Sequence, residues 1–196
     1  WKSTQKTPAC ECPSAKGMLG SSRADTRTLI NGTIIRLKNN STYCEDNNVG
    51  PYMTGCRSSF ASFVPPLKIV TMGSDSLGSS KWRVKVVKNA TDGNVVDRTI
   101  IMLENLSIAC ATGYSTLVGC GSVSSNYHPR VETRTPQMYM GDGDLWEVYT
   151  DVEGDIIRDN TIIRLKNKDD HCELDGGWLT GCRGAGHKNV ETNKNC

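Results

Sequence analysis

A pattern of apolar and β-branched residues recurs three times along the chain. The heptapeptide Thr-Ile-Ile-x-Leu-x-Asn begins at Thr33, Thr99 and Thr161, so successive copies lie 66 and 62 residues apart. Apolar and polar positions alternate within the copies, which is typical of a half-buried β-strand, and asparagine follows as a turn signal. No stretch has the pattern of an amphipathic helix. The sequence therefore predicts an all-β protein made of three repeats.

Each repeat contains further strand signals. A short strand ends in Gly-Cys, a third strand is predicted at residues 67–71, 130–134 and 189–192, and a fourth strand carries Trp82 or Trp146. Alternation places these tryptophans and the following valines on one face. Four strands in each of three repeats predict a β-trefoil with pseudo-threefold symmetry, in which a six-stranded barrel is capped by three hairpins.

The predicted domain organisation follows from the repeats. Residues 1–24 contain proline, glycine and two cysteines without periodicity, and we expect an irregular N-terminal segment there. Residues 25–196 form the trefoil, with repeats at about 25–90, 91–154 and 155–196. The third repeat lacks its fourth strand, because the equivalent tryptophan would fall near residue 208 and the sequence ends at Cys196.

A barrel without its last strand has an open edge that can accept another strand. Trp1 is a candidate for the missing tryptophan, with Ser3 in the position that Val84 and Val148 occupy. Residues 1–5 could close the barrel of their own chain or that of a neighbouring molecule. Exchange of the second kind is head-to-tail and would produce a filament.

Six of the nine cysteines form three pairs, one pair at equivalent positions in each repeat. Paired zinc ligands lie two to four residues apart, whereas 11, 9 and 9 residues lie between the two cysteines of the three pairs. We therefore predict one disulfide in each repeat and an oxidising compartment, with about 2–3 kcal/mol of stabilisation from each bond. The predicted bonds are Cys44–Cys56, Cys110–Cys120 and Cys172–Cys182.

Three cysteines remain, namely Cys10, Cys12 and Cys196. Cys196 could bond to Cys10 or Cys12 of whichever N-terminal segment fills the open edge. An odd number leaves at least one thiol free or in an intermolecular bond.

The chain also contains acceptor patterns for N-glycosylation. We favour Asn39 and Asn105, which share one repeat position, with Asn40 as a competitor for Asn39. The full set is Asn31, Asn39, Asn40, Asn89 and Asn105. No apolar run is long enough to span a membrane, and we expect a secreted protein, extracellular or at the cell surface, whose signal peptide has been removed.

One segment resembles the MIR-type trefoil family. The stretch Gly-Asp-Ile-Ile-Arg-Asp-Asn-Thr-Ile-Ile-Arg-Leu-Lys at residues 154–166, entered from Leu-Trp-Glu-Val at residues 145–148, carries the likeness, which extends from about Ile30 onward. The resemblance implies a trefoil fold and a role in the secretory pathway, where such domains handle glycans or partner proteins. The Gln-x-Trp signature of ricin-type lectins is absent.

Candidate chemistry is sparse. None of the three histidines accompanies a nucleophile motif or a metal-binding pattern, so we expect no enzyme, no metal and no cofactor. The net charge of +2 does not suggest nucleic acid as a partner.

Two functions are expected. The first is a secreted, glycosylated structural protein that assembles with copies of itself through residues 1–5, as a filament or extracellular-matrix subunit. The alternative is a monomeric lectin-like trefoil that binds extracellular glycans. Its contacts would be Trp178 beside Asp175, or the charged outer face of the barrel. That face comprises Arg36, Lys38, Arg164 and Lys166.

Overall fold

The computed structural model describes residues 15–18, 27–40, 50–59, 68–73, 78–110, 115–119, 131–134, 142–170, 177–181 and 191–193. In this part of the chain, twelve strands pair in antiparallel fashion and two short 3-10 turns occur at Gly78–Ser80 and Ile108–Cys110. The strands are β1 Ala15–Met18, β2 Ile34–Asn39, β3 Tyr52–Ser59, β4 Lys68–Gly73, β5 Trp82–Lys88, β6 Ile100–Asn105, β7 Thr116–Val118, β8 Glu132–Arg134, β9 Trp146–Tyr149, β10 Ile162–Asn167, β11 Trp178–Thr180 and β12 Glu191–Asn193. The all-β prediction is confirmed.

The three heptapeptides form the equivalent strands β2, β6 and β10. Burial alternates along them, so that Ile35 and Leu37 point into the core while Arg36 and Lys38 lie on the outer side of β2. The same alternation in β10 buries Ile163 and Leu165. A strand with one face on the core requires this period of two.

Six strands pair in a closed ring, and the sheet therefore curls on itself. β2 pairs with β5, β5 with β6, β6 with β9, β9 with β10, β10 with β1, and β1 with β2. The remaining strands form the hairpins β3–β4, β7–β8 and β11–β12. Each hairpin attaches to the ring through β2, β6 or β10 respectively.

The strand β1 corrects two predictions. Residues 1–24 were expected to be irregular, and residues 1–5, with Trp1 and Ser3, were expected to supply the missing strand. Residues 1–5 lie outside the described residues, whereas the place of the missing strand is taken by β1. Ile35 pairs with Trp82, Ile101 with Trp146, and Ile163 with Ala15. Thus β1 stands beside β10 as the tryptophan strands stand beside β2 and β6.

The core lies inside the ring and beneath the hairpins. Trp82 and Trp146 are its largest side chains and are fully buried. Each indole Nε1 donates a hydrogen bond to a backbone carbonyl of the adjacent hairpin, at 3.0 Å to Met53 and 3.2 Å to Leu117. A buried indole N–H needs such a partner. The core residues are Leu29, Ile35, Leu37, Met53, Val70, Trp82, Val84, Val95, Ile101, Leu103, Leu117, Val131, Trp146, Val148, Ile157, Ile163 and Leu165.

Glycine and asparagine make a close contact wherever two successive repeats meet. A Cβ atom added at Gly55 would lie 2.6 Å from Nδ2 of Asn105, and one added at Gly119 would lie 2.6 Å from Nδ2 of Asn167. Only hydrogen fits at these positions, which explains the glycine of the first two Gly-Cys pairs. The repeated asparagine is thus part of the contact between repeats.

Candidate functional site

The outer surface of β9, β10 and β11 carries an aromatic pair surrounded by charges. Alternation along β9 buries Trp146 and Val148 and turns Glu147 and Tyr149 outward. Tyr149 pairs with Arg164 of β10, and Lys166 of β10 pairs with Trp178 of β11. We define the aromatic–basic face as Arg98, Glu147, Tyr149, Arg164, Lys166 and Trp178.

The two aromatic rings pack edge to face and are partly exposed. The ring centroids of Tyr149 and Trp178 are 4.9 Å apart with an interplanar angle of 67°. The guanidinium carbon of Arg98 lies 3.8 Å from the centre of the Tyr149 ring. Arg164 and Lys166 approach the Trp178 ring, with their charged groups 5.6 Å and 5.9 Å from its centre. Cations at these distances are attracted to the ring faces.

Ion pairs hold the basic side chains in place. Glu147 lies 3.1 Å from Nζ of Lys168 and 3.8 Å from a guanidinium nitrogen of Arg98. Nε of Arg98 also lies 3.4 Å from the carboxylate of Asp97, which is buried and accepts a 2.7 Å hydrogen bond from the backbone N–H of Thr150. Arg98 is therefore oriented by groups on both sides.

The backbone of Arg98 also sets this residue apart. Arg98 has φ of +66°, in the left-handed region that a long side chain rarely adopts. The same turn before the heptapeptide holds Gly32 at +84° and Asn160 at +62°, the residue types that tolerate this conformation. An arginine at such a position suggests that its side chain has a function.

The phenol of Tyr149 responds to these surroundings. Burial raises its pKa, the neighbouring Glu147 carboxylate raises it further, and the positive charge of Arg98 lowers it. The phenol therefore stays protonated and able to donate a hydrogen bond at any physiological pH.

The corresponding surface of β5, β6 and β7 provides a comparison. There Lys85 pairs with Met102, as Tyr149 pairs with Arg164, and Thr116 pairs with Glu104, as Trp178 pairs with Lys166. Glu104 forms ion pairs with Arg83 at 3.2 Å and Lys85 at 3.3 Å. The aromatic pair therefore joins the second repeat, through Tyr149, to the third, through Trp178, and the corresponding surface between the first and second repeats does not share it.

The structure changes the expected setting of Trp178. The sequence placed Trp178 in a loop beside Asp175, where it could either contact a glycan or cap the base of the barrel. Trp178 instead begins β11 and packs on Tyr149, and Asp175 lies outside the described residues. Sequence reasoning missed Arg98, Glu147 and Tyr149. The alternation in β9 contained the signal for Tyr149, whereas the position of Arg98 depends on how the turn before β6 folds onto β9.

The described disulfide joins two different repeats. Cys56 bonds to Cys110, with Cα atoms 5.5 Å apart and a sequence separation of 54. The predicted pairings Cys44–Cys56 and Cys110–Cys120 are therefore wrong. The physical reason is the contact of Gly55 with Asn105, which brings the end of the first hairpin against the next repeat. The disulfide is consistent with an oxidising environment such as that of the secretory pathway.

The other cysteines of the prediction lie outside the described residues. They are Cys10, Cys12, Cys44, Cys120, Cys172, Cys182 and Cys196.

Burial corrects the choice of glycosylation sites. Asn39 and Asn105, the two favoured acceptors, are 7% and 3% exposed. Their side-chain amides donate hydrogen bonds to the carbonyls of Gly181 at 3.1 Å and Ser79 at 2.7 Å. Because an N-linked glycan replaces a proton on this nitrogen, neither residue can carry one in the folded protein. The exposed acceptors are Asn31, Asn40 and Asn89.

Two features are absent from the part of the chain that the structure describes. Within them, no three histidine, cysteine, aspartate or glutamate side chains are grouped as metal ligands would be. Nor does this part of the chain contain a helix with the length and apolar character needed to cross a membrane.

Comparison with known proteins places the fold. No family model and no curated protein matches the chain. An SDF2-like protein from Arabidopsis thaliana has a similar structure, with a TM-score of 0.60, 16% identity, and coverage of 86% of this chain and 89% of that one. A Caenorhabditis elegans protein of unknown function gives a TM-score of 0.55 at 17% identity, covering 89% and 92%.

A third similar structure is the protein O-mannosyltransferase Pmt1-Pmt2 complex of S. cerevisiae bound to its sugar donor. The TM-score is 0.56 at 15% identity, and the match covers 96% of this chain and 24% of that chain. This chain thus spans about a quarter of the transferase chain that it matches. At such identities the likeness concerns the fold, and these structures are consistent with a MIR-like fold.

Proposed function

We propose that this chain is a secreted, non-catalytic binding module that recognises extracellular glycans through the aromatic–basic face. The observation that carries the proposal is the partly exposed pair of Tyr149 and Trp178, with basic side chains close to the ring faces. Aromatic rings offer a flat apolar surface to the C–H face of a sugar, and a few placed polar groups give orientation and specificity.

The polar groups of the face match the chemistry of a glycan. Arginine and lysine only donate hydrogen bonds, so they suit hydroxyl oxygens, carboxylates and sulfates, while Glu147 accepts from hydroxyl groups. Basic side chains outnumber carboxylates here by one. Arg98, Arg164, Lys166 and Lys168 lie with Asp97, Glu147 and Asp151. The proposed ligands are therefore glycans that carry acidic groups, and their binding should weaken as salt rises.

We propose a β-trefoil of the MIR type as the scaffold. The closed ring of six strands and its three hairpins support this assignment, together with the contacts that recur between repeats. The disulfide Cys56–Cys110 and the exposed acceptors Asn31, Asn40 and Asn89 support an extracellular, glycosylated protein.

A glycan array followed by titration calorimetry tests the binding function. The wild type should bind acidic glycans, and Trp178→Ala should weaken binding by at least tenfold, about 1.4 kcal/mol, as expected for a central aromatic contact. Arg98→Asn should also weaken binding, because it removes the guanidinium group. Asparagine occupies the equivalent turn position at Asn160, so the substitution keeps the backbone conformation.

The surface of β5 and β6 provides the control. Lys85→Ala removes a basic side chain from the corresponding strand position and should leave affinity unchanged. An array without a hit for the wild type, or equal affinity for wild type and Trp178→Ala, would overturn the proposal. A thermal melt of each variant separates lost binding from lost folding.

The second candidate function is self-assembly by strand exchange. It is favoured by the placement of β1, which completes the ring between β2 and β10 although it comes from the opposite end of the sequence from β10. A β1 from a neighbouring molecule would make the same pairings, so exchange would link copies head-to-tail into a homopolymer. The donor would then be Ala15–Met18 and not residues 1–5.

Size under native conditions tests this second function. Light scattering should show multimers whose mass grows with concentration, and deletion of residues 1–18 should abolish them. A wild type of constant monomer mass at every concentration would exclude assembly and leave the glycan proposal intact.

A further inference from the structure

The Cys56–Cys110 disulfide forms at a contact that the chain repeats. Cys56 directly follows Gly55, and Cys110 comes five residues after Asn105. Gly55 packs directly against the Asn105 side chain, and this contact holds the two chain segments together beside the bond. The bond therefore joins the Gly-Cys end of one hairpin to the cysteine that follows the asparagine of the next repeat.

The second and third repeats meet in the same way. Gly119 packs against Asn167 as Gly55 packs against Asn105, at the same 2.6 Å for an added Cβ atom. The asparagine side chains donate equivalent hydrogen bonds, Asn105 to the carbonyl of Ser79 and Asn167 to that of Gly143, both at 2.7 Å.

The backbone also makes the same turn directly after each of the two asparagines. Oδ1 of Asn105 accepts a hydrogen bond from the N–H of Ser107 at 2.9 Å, and Oδ1 of Asn167 accepts one from Asp169 at 3.0 Å. This turn leads to Cys110 in the second repeat. In the third repeat the same spacing leads to Cys172, while Cys120 directly follows Gly119.

The third and first repeats are in contact at the equivalent place. Nδ2 of Asn39 donates a 3.1 Å hydrogen bond to the carbonyl of Gly181, across 142 residues of sequence. Cys182 directly follows Gly181, and Cys44 comes five residues after Asn39. The Gly-Cys end of the last hairpin therefore adjoins the asparagine of the first repeat.

We propose that Cys120 bonds to Cys172 and Cys182 to Cys44, so that three disulfides join the repeats in a covalent ring. In each reaction two thiols lose two protons and two electrons and form one S–S bond. A disulfide of an oxidising dithiol carrier takes them up and becomes two thiols. The bonds replace the third predicted pairing, Cys172–Cys182, and leave Cys10, Cys12 and Cys196 as the cysteines outside the ring.

Peptide mapping of the unreduced protein tests the ring. A digest with chymotrypsin and trypsin separates the cysteines. Chymotrypsin cuts after aromatic residues, and Tyr52, Tyr114 and Trp178 separate the two cysteines of every repeat, while trypsin cuts after Arg183 and separates Cys182 from Cys196. After free thiols have been alkylated, mass spectrometry should find the Cys120 peptide joined to the Cys172 peptide, and the Cys44 peptide joined to the Cys182 peptide. The Cys56–Cys110 pair serves as the internal control.

Single variants make the test decisive. Compared with the wild type, Cys120→Ser should expose one additional alkylatable thiol per chain, at Cys172. Cys182→Ser should expose one additional thiol at Cys44. Cys110→Ser should expose Cys56 as the matched control. The four cysteines under test are Cys44, Cys120, Cys172 and Cys182. A Cys172–Cys182 peptide pair, a bond from any of the four to Cys10, Cys12 or Cys196, or a free thiol at any of the four in the wild type would overturn the proposal.

Discussion

At the scale of single residues, the repeated asparagine and glycine have a structural role. The side chains of Asn39, Asn105 and Asn167 are buried, and each donates its amide N–H to a carbonyl of an adjacent repeat. A buried amide that loses its partner costs about 1–3 kcal/mol. These residues persist in the repeat because they connect one repeat to the next.

Gly119→Ala should destabilise the protein by about 1–3 kcal/mol, as overpacking does in a filled core. The added Cβ would lie 2.6 Å from the Asn167 amide and 3.1 Å from the Trp146 ring, and neither buried group can move away freely. Urea unfolding measures the loss. Gly78→Ala is the control, since nothing lies within 4 Å of its Cβ position, and it should stay within about 0.5 kcal/mol of wild type. Equal stability of the two variants would contradict the packing argument.

Burial also decides which acceptors can carry glycan. When the protein is expressed through a eukaryotic secretory pathway, Asn89→Gln should lower its mass by one glycan, since Asn89 is exposed. Asn105→Gln should leave the glycan mass unchanged, because the amide of Asn105 is buried and bonded to Ser79. Intact-mass spectrometry before and after glycosidase treatment gives the comparison. Loss of a glycan from Asn105→Gln would show that Asn105 carries one and would contradict the argument from burial.

At the scale of elements, the short strand β1 completes the ring. It pairs with β2 over four residues and with β10 at Ala15 and Lys16. Without it, the edges of β2 and β10 would expose unpaired backbone groups to water or to other chains. The four residues of β1 thus take the position beside β10 that the tryptophan strands take beside β2 and β6.

Truncation distinguishes β1 from the donor that the sequence predicted. Deletion of residues 1–13 should leave stability close to wild type, whereas deletion of residues 1–18 should cost at least about 2 kcal/mol, through the loss of several ladder hydrogen bonds. A Cys10→Ser, Cys12→Ser double variant controls for the thiols that both deletions remove. If the shorter deletion is as harmful as the longer one, residues 1–13 contribute to the fold directly.

Local patterns predicted the strands, but they did not predict which distant segments contact each strand. The period of two located β2, β6 and β10 and the buried tryptophans, because it reflects a property of each segment alone. The donor of the last strand, the partner of Cys56 and the place of Arg98 depend on contacts between distant segments. The sequence contained a weak signal for these contacts in the shared Gly-Cys and Asn spacing, which is as consistent with pairing between repeats as within them.

At the scale of the molecule, the repeats are interdependent. Trp82 of the first repeat lies within the core with Leu103 of the second, and Cys56 is bonded across the same boundary. One repeat alone cannot bury its hydrophobic face, so the three must fold together. A bond between repeats restrains the whole chain, whereas a bond within one repeat would restrain only a hairpin.

Loss of the Cys56–Cys110 bond should therefore cost more than loss of a hairpin bond. The bond closes a loop of 54 residues, which corresponds to about 4 kcal/mol on the chain-entropy model, against 2–3 kcal/mol for a loop of about ten residues. Cys56→Ala and Cys110→Ala should lower the free energy of unfolding by similar amounts in guanidinium titrations. The double variant should be hardly less stable than either single one, because one bond is lost in all three. Additive losses would mean that the two cysteines stabilise the protein separately and would contradict a bond between the first and second repeats.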